Sequence, residues 1–165
     1  RKPMEKLQKD ILALLRRNAR ISNQEIADRL NSKVETVAAR IKEMEEERLI
    51  LGYAAIVAQE AEENEVRAII EVQVQPERDT GFDNIARKLS HFPEVVAVHL
   101  VSGRYDLRLE VVGNSLQDVA SFVASKLSSQ DGVKSTATHF LLKKYKEAGL
   151  ELGKDEKHER LKIVP

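Results

Sequence analysis

The side chains best suited to chemistry form no catalytic set; they lie in a polar and basic stretch between residues 22 and 40. Ser22, Asn23 and Gln24 fall where a helix should begin, and the backbone N–H groups of a helix start attract phosphate. Ser22 and Glu25 have capping-box spacing, and Ile21 and Ile26 stand at the two positions of a hydrophobic staple. Further on, Lys33, Glu35, Thr36, Ala39 and Arg40 take outward positions near the start of a second helix. Lys33 and Arg40 suit guanine or phosphate, Thr36 a thymine methyl or a phosphate, and Glu35 a cytosine amine. Glu35 also repels phosphates, and its place three residues after Ser32 suits it to a purely capping role. For each of these side chains a solvated surface role competes with a role on DNA.

Elsewhere the chemistry is sparse. No Gly-rich phosphate loop, paired His–Glu metal motif or nucleophile elbow occurs. Cysteine is absent, which excludes disulfides and thiolate metal sites and fits a reducing, cytoplasmic setting. With no tryptophan and 4% aromatics, a stacking platform for single-stranded nucleic acid is not expected. His99 and His139 are expected on neighbouring strands, but a lone strand histidine is more often structural. No catalytic residue, metal or cofactor is therefore expected. No apolar run approaches the ~20 residues that cross a bilayer, and the charged, amphipathic start does not read as a signal peptide.

The elements that must carry these residues follow from periodicity. Leu7, Ile11, Leu14 and Leu15 predict an amphipathic helix over 4–17. A second helix runs from Asn23 to Leu30. A third, begun by a second Ser-x-x-Glu cap at Ser32 and Glu35, carries Val37, Ile41 and Met44. Only Asn31 and Ser32 remain between them. A connection that short needs a residue at positive φ, which asparagine tolerates. Ala27 is small where the two helices approach, Asn31 follows four residues later and Val37 six after that. This is a helix-turn-helix pattern, whose second helix would enter the major groove of double-stranded DNA. Charge agrees: residues 1–42 carry 11 Lys+Arg against 5 Asp+Glu, and the remainder reverses that excess to a net charge of zero.

Beyond Gly52, Tyr53 to Ala58 reads as a linking strand. Then Val66 to Val74 alternates as a strand; Phe82, Ile85, Ala86 and Leu89 mark a helix; Val95 to Val101 is a second strand. Ser102-Gly103-Arg104 turns into a third strand through Tyr105, Leu107, Leu109 and Val111. Ser115 caps a helix with Val119, Phe122 and Leu127, and Thr136 to Leu142 is a fourth strand. The order βαββαβ is that of a ferredoxin-like sheet with both helices on one face. Ile69, Val96, Val98, Leu100, Val112 and Leu141 are expected on the other face, apolar enough to call for a second copy of the chain. The expectation is an α+β protein: an N-terminal helix-turn-helix (winged-helix-like) domain over 1–52, a linking strand and loop over 53–64, a ferredoxin-like oligomerisation and effector-binding domain over 65–145, and a charged tail over 146–165.

Three stretches, at consistent spacing over roughly residues 4–145, make the chain resemble the Lrp/AsnC family, the feast/famine regulators. They are Arg20-Ile21-Ser22-Asn23-Gln24-Glu25-Ile26-Ala27; Thr36-Val37 with Arg40-Ile41 and Leu49-Ile50-Leu51-Gly52-Tyr53; and Val98 to Leu107. The run that is commonly Gly-Leu-Ser-Pro at the turn stands here as Asn31-Ser32-Lys33-Val34. The resemblance implies a DNA-binding transcriptional regulator, a homodimer that assembles to an octamer. It implies too an amino acid or similar small-molecule effector bound where subunits meet, around Ser102, Gly103, Arg104, Tyr105 and Asp106. A glycine there lets a ligand carboxylate reach backbone N–H groups, and an aspartate can hold an α-ammonium. The alternatives are a metabolite-binding oligomer with a vestigial DNA-binding head, or a haem-precursor decarboxylase-like enzyme using the histidines.

Overall fold

The structure is a computed structural model that describes residues 3–152. The chain divides into two compact units, the first ending at Ile56 and the second opening at Val57. Thirteen residues of the expected tail, 153–165, lie outside the described residues.

The first unit is three helices, α1 (Lys6–Arg17), α2 (Asn23–Leu30) and α3 (Val34–Glu46). Each contributes one apolar stripe to a common core: Ile11 and Leu15 from α1, Ile26 and Ala27 from α2, Val37 and Met44 from α3, all buried. Gln8 closes the start of α1 by accepting the Glu5 N–H at 3.0 Å. The expected linking strand is not formed within the chain. Residues 51–58 join no ladder and are exposed, because nothing among the described residues offers their backbone a neighbouring strand.

The second unit is a four-stranded antiparallel sheet, β1 (Val66–Val74), β2 (Val95–Leu100), β3 (Leu107–Gly113) and β4 (Val133–Phe140), in the order β2-β3-β1-β4. Two helices, α4 (Asp83–Ser90) and α5 (Leu116–Phe122), pack on one face. Ile85 and Leu89 of α4 and Val119 and Phe122 of α5 share a core with Ala68, Ile70, Val72, Leu107, Leu109 and Val111. This is the ferredoxin-like arrangement. A two-stranded hairpin, β5 (Lys146–Glu147) and β6 (Leu150–Glu151), turns on Ala148 and Gly149, both at positive φ. It takes the first residues of what reads in the sequence as tail.

The other sheet face is only partly the apolar surface expected. Ile69, Val112 and the exposed Leu141 are on it, but they share it with a charged grid. Arg67 lies opposite Val112 and Glu71 opposite Arg108, and Arg67 reaches Glu110 at 3.2 Å and Glu65 at 2.6 Å. Val98 pairs with Leu109 and turns into the core. Leu100 pairs with the core residue Leu107 yet remains exposed at the sheet edge, and Val96, also exposed, falls in a bulge between Val95 and Ala97. A continuous apolar run has no alternation to fix its register, so one extra residue sends Val98 inward.

Candidate nucleic-acid interface and effector turn

Helix α2 begins where the sequence places it. Ser22 Oγ accepts the Glu25 N–H at 3.1 Å, and Ile21 and Ile26 are buried beneath the cap. It ends at Asn31, which takes the left-handed conformation, φ 49 and ψ 51. The Ser32 N–H then returns to Ala27 O at 2.9 Å, so Ser32 closes the turn. The second capping box is therefore not made: Lys33 stands at the cap of α3, and no side chain bonds there. Val34, the first helical residue, packs against the core.

Of the expected DNA-facing residues, Asn23, Gln24, Lys33, Glu35 and Ala39 are exposed, and Thr36 is half-buried. The Ser22 hydroxyl is used by its cap, and Gln24 Nε2 donates to Asp28 at 2.8 Å. Arg40 is half-buried and engaged within the chain. Three residues after buried Val37, it flanks the core stripe and pairs with Glu43 at 2.7 Å and Glu5 at 3.5 Å, tying α3 to the start of α1. Lys42, which the sequence reading passes over, shares a face with Glu35 and Ala39. It is exposed and only loosely paired with Glu46, at 3.7 Å. The signal was available in the 3.6-residue period counted from Glu35.

The turn between β2 and β3 is anchored rather than free. Val101 N–H donates to Asp106 O at 2.9 Å, and Gly103 sits at φ +151, a backbone conformation that side chains disfavour. Asp106 ties the turn to β1: its N–H reaches Val72 O at 3.0 Å, and its Oδ2 accepts the Val74 N–H at 2.9 Å. The β1–β4 register slips between Gln73 and Val74, the residue this carboxylate engages. Gln73 Nε2 donates to Arg104 O at 2.8 Å, while Ser135 Oγ donates to Gln73 Oε1 at 2.8 Å. Gln73 and Ser135 are supports the sequence reading missed, since nothing in strand alternation marks a side chain that reaches over a strand end. Ser102, Gly103 and Arg104 are exposed; Tyr105 and Asp106 are half-buried.

The histidines are not on neighbouring strands. His99 is on β2 and His139 on β4, the two edges of the sheet. Three ladder spacings separate them, roughly 14 Å. His99 lies opposite Arg108, and His139 Nε2 is 3.6 Å from Glu71. Among the described residues no helix is long and apolar enough to cross a membrane.

Comparison with known proteins places both units. Residues 67–150 match the family described as the Lrp/AsnC ligand binding domain, and residues 4–50 match a winged helix-turn-helix DNA-binding family. The chain is 42% identical over 160 residues to the HTH-type transcriptional regulator YugG of Bacillus subtilis, covering 94% of this chain and 95% of that one. It is 31% identical over 138 residues to an HTH-type transcriptional regulator of Pyrococcus horikoshii, covering 84% and 85%. Among solved structures, a transcriptional regulator of Neisseria meningitidis in complex with L-Met superposes with a TM-score of 0.68 at 26% identity, over 88% of this chain and 94% of that one. Escherichia coli AsnC superposes with a TM-score of 0.65 at 23% identity, over 87% and 95%, a likeness of fold.

Proposed function

The chain belongs to the Lrp/AsnC family of transcriptional regulators, and on that ground we propose that α3 reads duplex DNA while the 102–106 turn answers to a bound amino acid. It is a helix-turn-helix protein with a ligand-binding domain. The observation that carries the DNA reading is the left-handed Asn31. It sets α3 against α2 so that Lys33, Glu35, Ala39 and Lys42 remain exposed. Lys33 and Lys42 meet phosphates or guanines, Glu35 and Ala39 face the bases, and the N–H groups behind Ser22 hold a phosphate. Arg40 acts as a brace between α3 and α1.

The effector is an amino acid, a reading supported by the Neisseria regulator's crystal structure in complex with L-Met. Its carboxylate takes the backbone N–H groups around Gly103, and its ammonium takes Asp106 through the oxygen that Val74 does not use. The turn is exposed in the single chain, so a second subunit completes the site and the protein works as a homo-oligomer in the cytoplasm. On this reading residues 1–52 bind DNA, 53–64 link, and 65–145 bind effector and assemble.

Fluorescence anisotropy on the DNA upstream of the protein's own gene, at two salt concentrations and with or without an amino-acid mixture containing L-Met, tests the proposal. The expected result is salt-steep binding that shifts with the mixture. No binding at low salt removes the DNA role, and binding indifferent to every amino acid removes the effector role.

A further inference from the structure

No Asp or Glu occurs between Asp10 and Glu25, in a chain where 27 of 165 residues are acidic. Three arginines stand in that gap: Arg16 and Arg17 in the last turn of α1, and Arg20 in the loop to α2. All three are exposed, and among the described residues none has a carboxylate partner. Other cations of the first unit are held within it: Lys6 pairs with Asp10, Arg29 with Glu25, Arg40 with Glu43 and Lys42 with Glu46.

Like charges so close together repel one another. The end of α1 accounts for part of the pattern, since cations there complement the helix dipole. Arg20 falls outside that account, because it follows Asn18, the cap of α1, whose backbone is extended. The loop is short and folded. Arg20 N–H donates to Asn18 Oδ1 at 3.0 Å, and Ile21 N–H donates to Asn18 O at 3.2 Å. Ile21 is buried, and Ser22 caps α2 directly after it. The Cα atoms of Arg20 and Ser22 are therefore within about 7 Å of each other. The patch is thus continuous with the start of α2, whose N–H groups suit a phosphate.

Resting on the DNA-binding role proposed above, we propose that Arg16, Arg17 and Arg20 form a clamp on the phosphate backbone of duplex DNA, beside the groove that α3 enters. Charge complementarity selects the occupant. A duplex carries one negative charge per ~1.7 Å of its axis, and a planar guanidinium takes phosphate through two parallel N–H bonds. Residues 1–52 hold no Phe, Tyr or Trp, so an unpaired strand finds no ring there to stack on. The clamp reads no base. It adds affinity to every sequence alike and leaves discrimination to α3.

Fluorescence anisotropy of the full chain tests this, on the DNA upstream of its own gene and on a scrambled duplex of equal length, over a series of salt concentrations. Replacing all three arginines by alanine should lower the slope of log affinity against log salt by about 2.7 per protomer, at ~0.9 per phosphate. The fall should be the same on both duplexes, with the ratio of the two affinities unchanged. Replacing all three by lysine should keep the wild-type slope, since an ammonium also neutralises a phosphate. Lys9→Ala, which removes an exposed charge earlier on α1, should leave the slope as it is. Arg20→Ala, outside any helix, should lower the slope by about 0.9 and decides the matter if the triple alanine variant does not fold. An unchanged slope in Arg20→Ala, with the wild type still binding salt-steeply, overturns the clamp and leaves the DNA role standing. A loss confined to the upstream sequence also overturns it, since the arginines would then be reading bases. Absence of DNA binding by the wild type removes the DNA role and the clamp with it.

Discussion

Asp106 is one residue whose role was half legible. Its place after Gly103-Arg104-Tyr105 marked it as a candidate, but not that its Oδ2 would hold the Val74 N–H. That bond falls where the β1–β4 register slips, with the extra residue on β4, and a bulge leaves no mark in an alternating strand. Asp106→Ala leaves the Val74 N–H without its partner, and should cost ~1–3 kcal/mol by chemical denaturation. Asp106→Asn keeps an acceptor and should recover most of that stability while still losing effector binding, because the charge is gone. If both variants bind the amino acid normally, the ammonium is held elsewhere. On the DNA side, Lys42→Ala and Lys33→Ala should each weaken operator binding and lower the salt slope by about 1 if each lysine neutralises a phosphate. Arg40→Ala should instead show as lost stability, because Glu5 and Glu43 already hold the guanidinium.

The elements were largely written in local chemistry. Ser22 and Ser115 cap α2 and α5 through Oγ, as their spacing implies. Asn31 is left-handed because two helices so close together need such a residue. Asn31→Gly should therefore be tolerated, whereas Asn31→Val should lose ~1–2 kcal/mol, the cost of placing a β-branched side chain in that conformation, read as a lower melting temperature of the first unit. Ser32-x-x-Glu35 had the same spacing as Ser22-x-x-Glu25 and still failed as a cap, since Ser32 was needed one step earlier to close the turn. The inward turn of Val98 and the widening of α5 into a π turn over Val123–Leu127 were illegible for a shared reason: an uninterrupted apolar run and a serine-rich helix carry no signal of where one residue is added. The loop before α4 carries a pH-sensitive element. Hydrogen bonds from Asn84 Nδ2 and Thr80 Oγ1, both at 2.8 Å, hold the Glu77 carboxyl below its usual range. A carboxylate so held contributes its stabilisation above the ordinary carboxylate pKa and loses it as pH falls through the lowered value. Hydrogen-exchange protection at Gly81 to Asn84, after correction for the intrinsic pH dependence of exchange, should fall on acidification, and the Glu77→Gln variant should not show that response.

At the scale of the whole molecule, the sequence showed a basic head and an acidic body, and the two should respond differently to salt. DNA binding rests on exposed cations and on counterion release; a dimer neutralising about six phosphates would lose ~10³-fold in affinity between 50 and 200 mM salt. The sheet face that a second copy would cover is built otherwise. Its charges pair within the chain: Arg67 with Glu62, Glu65 and Glu110, and Lys144 with Glu62 and Glu147. Arg67 and Lys144 are mostly shielded, their side chains 24% and 13% exposed. Charges already satisfied and shielded from water are weakly screened, and between them Ile69 and Val112 supply apolar area insensitive to salt. Sedimentation velocity at the same two salt concentrations should find the oligomer unchanged while anisotropy finds DNA binding lost. Dissociation of the oligomer over that range would mean that contacts between exposed charges hold the subunits together, and would move the interface away from this face.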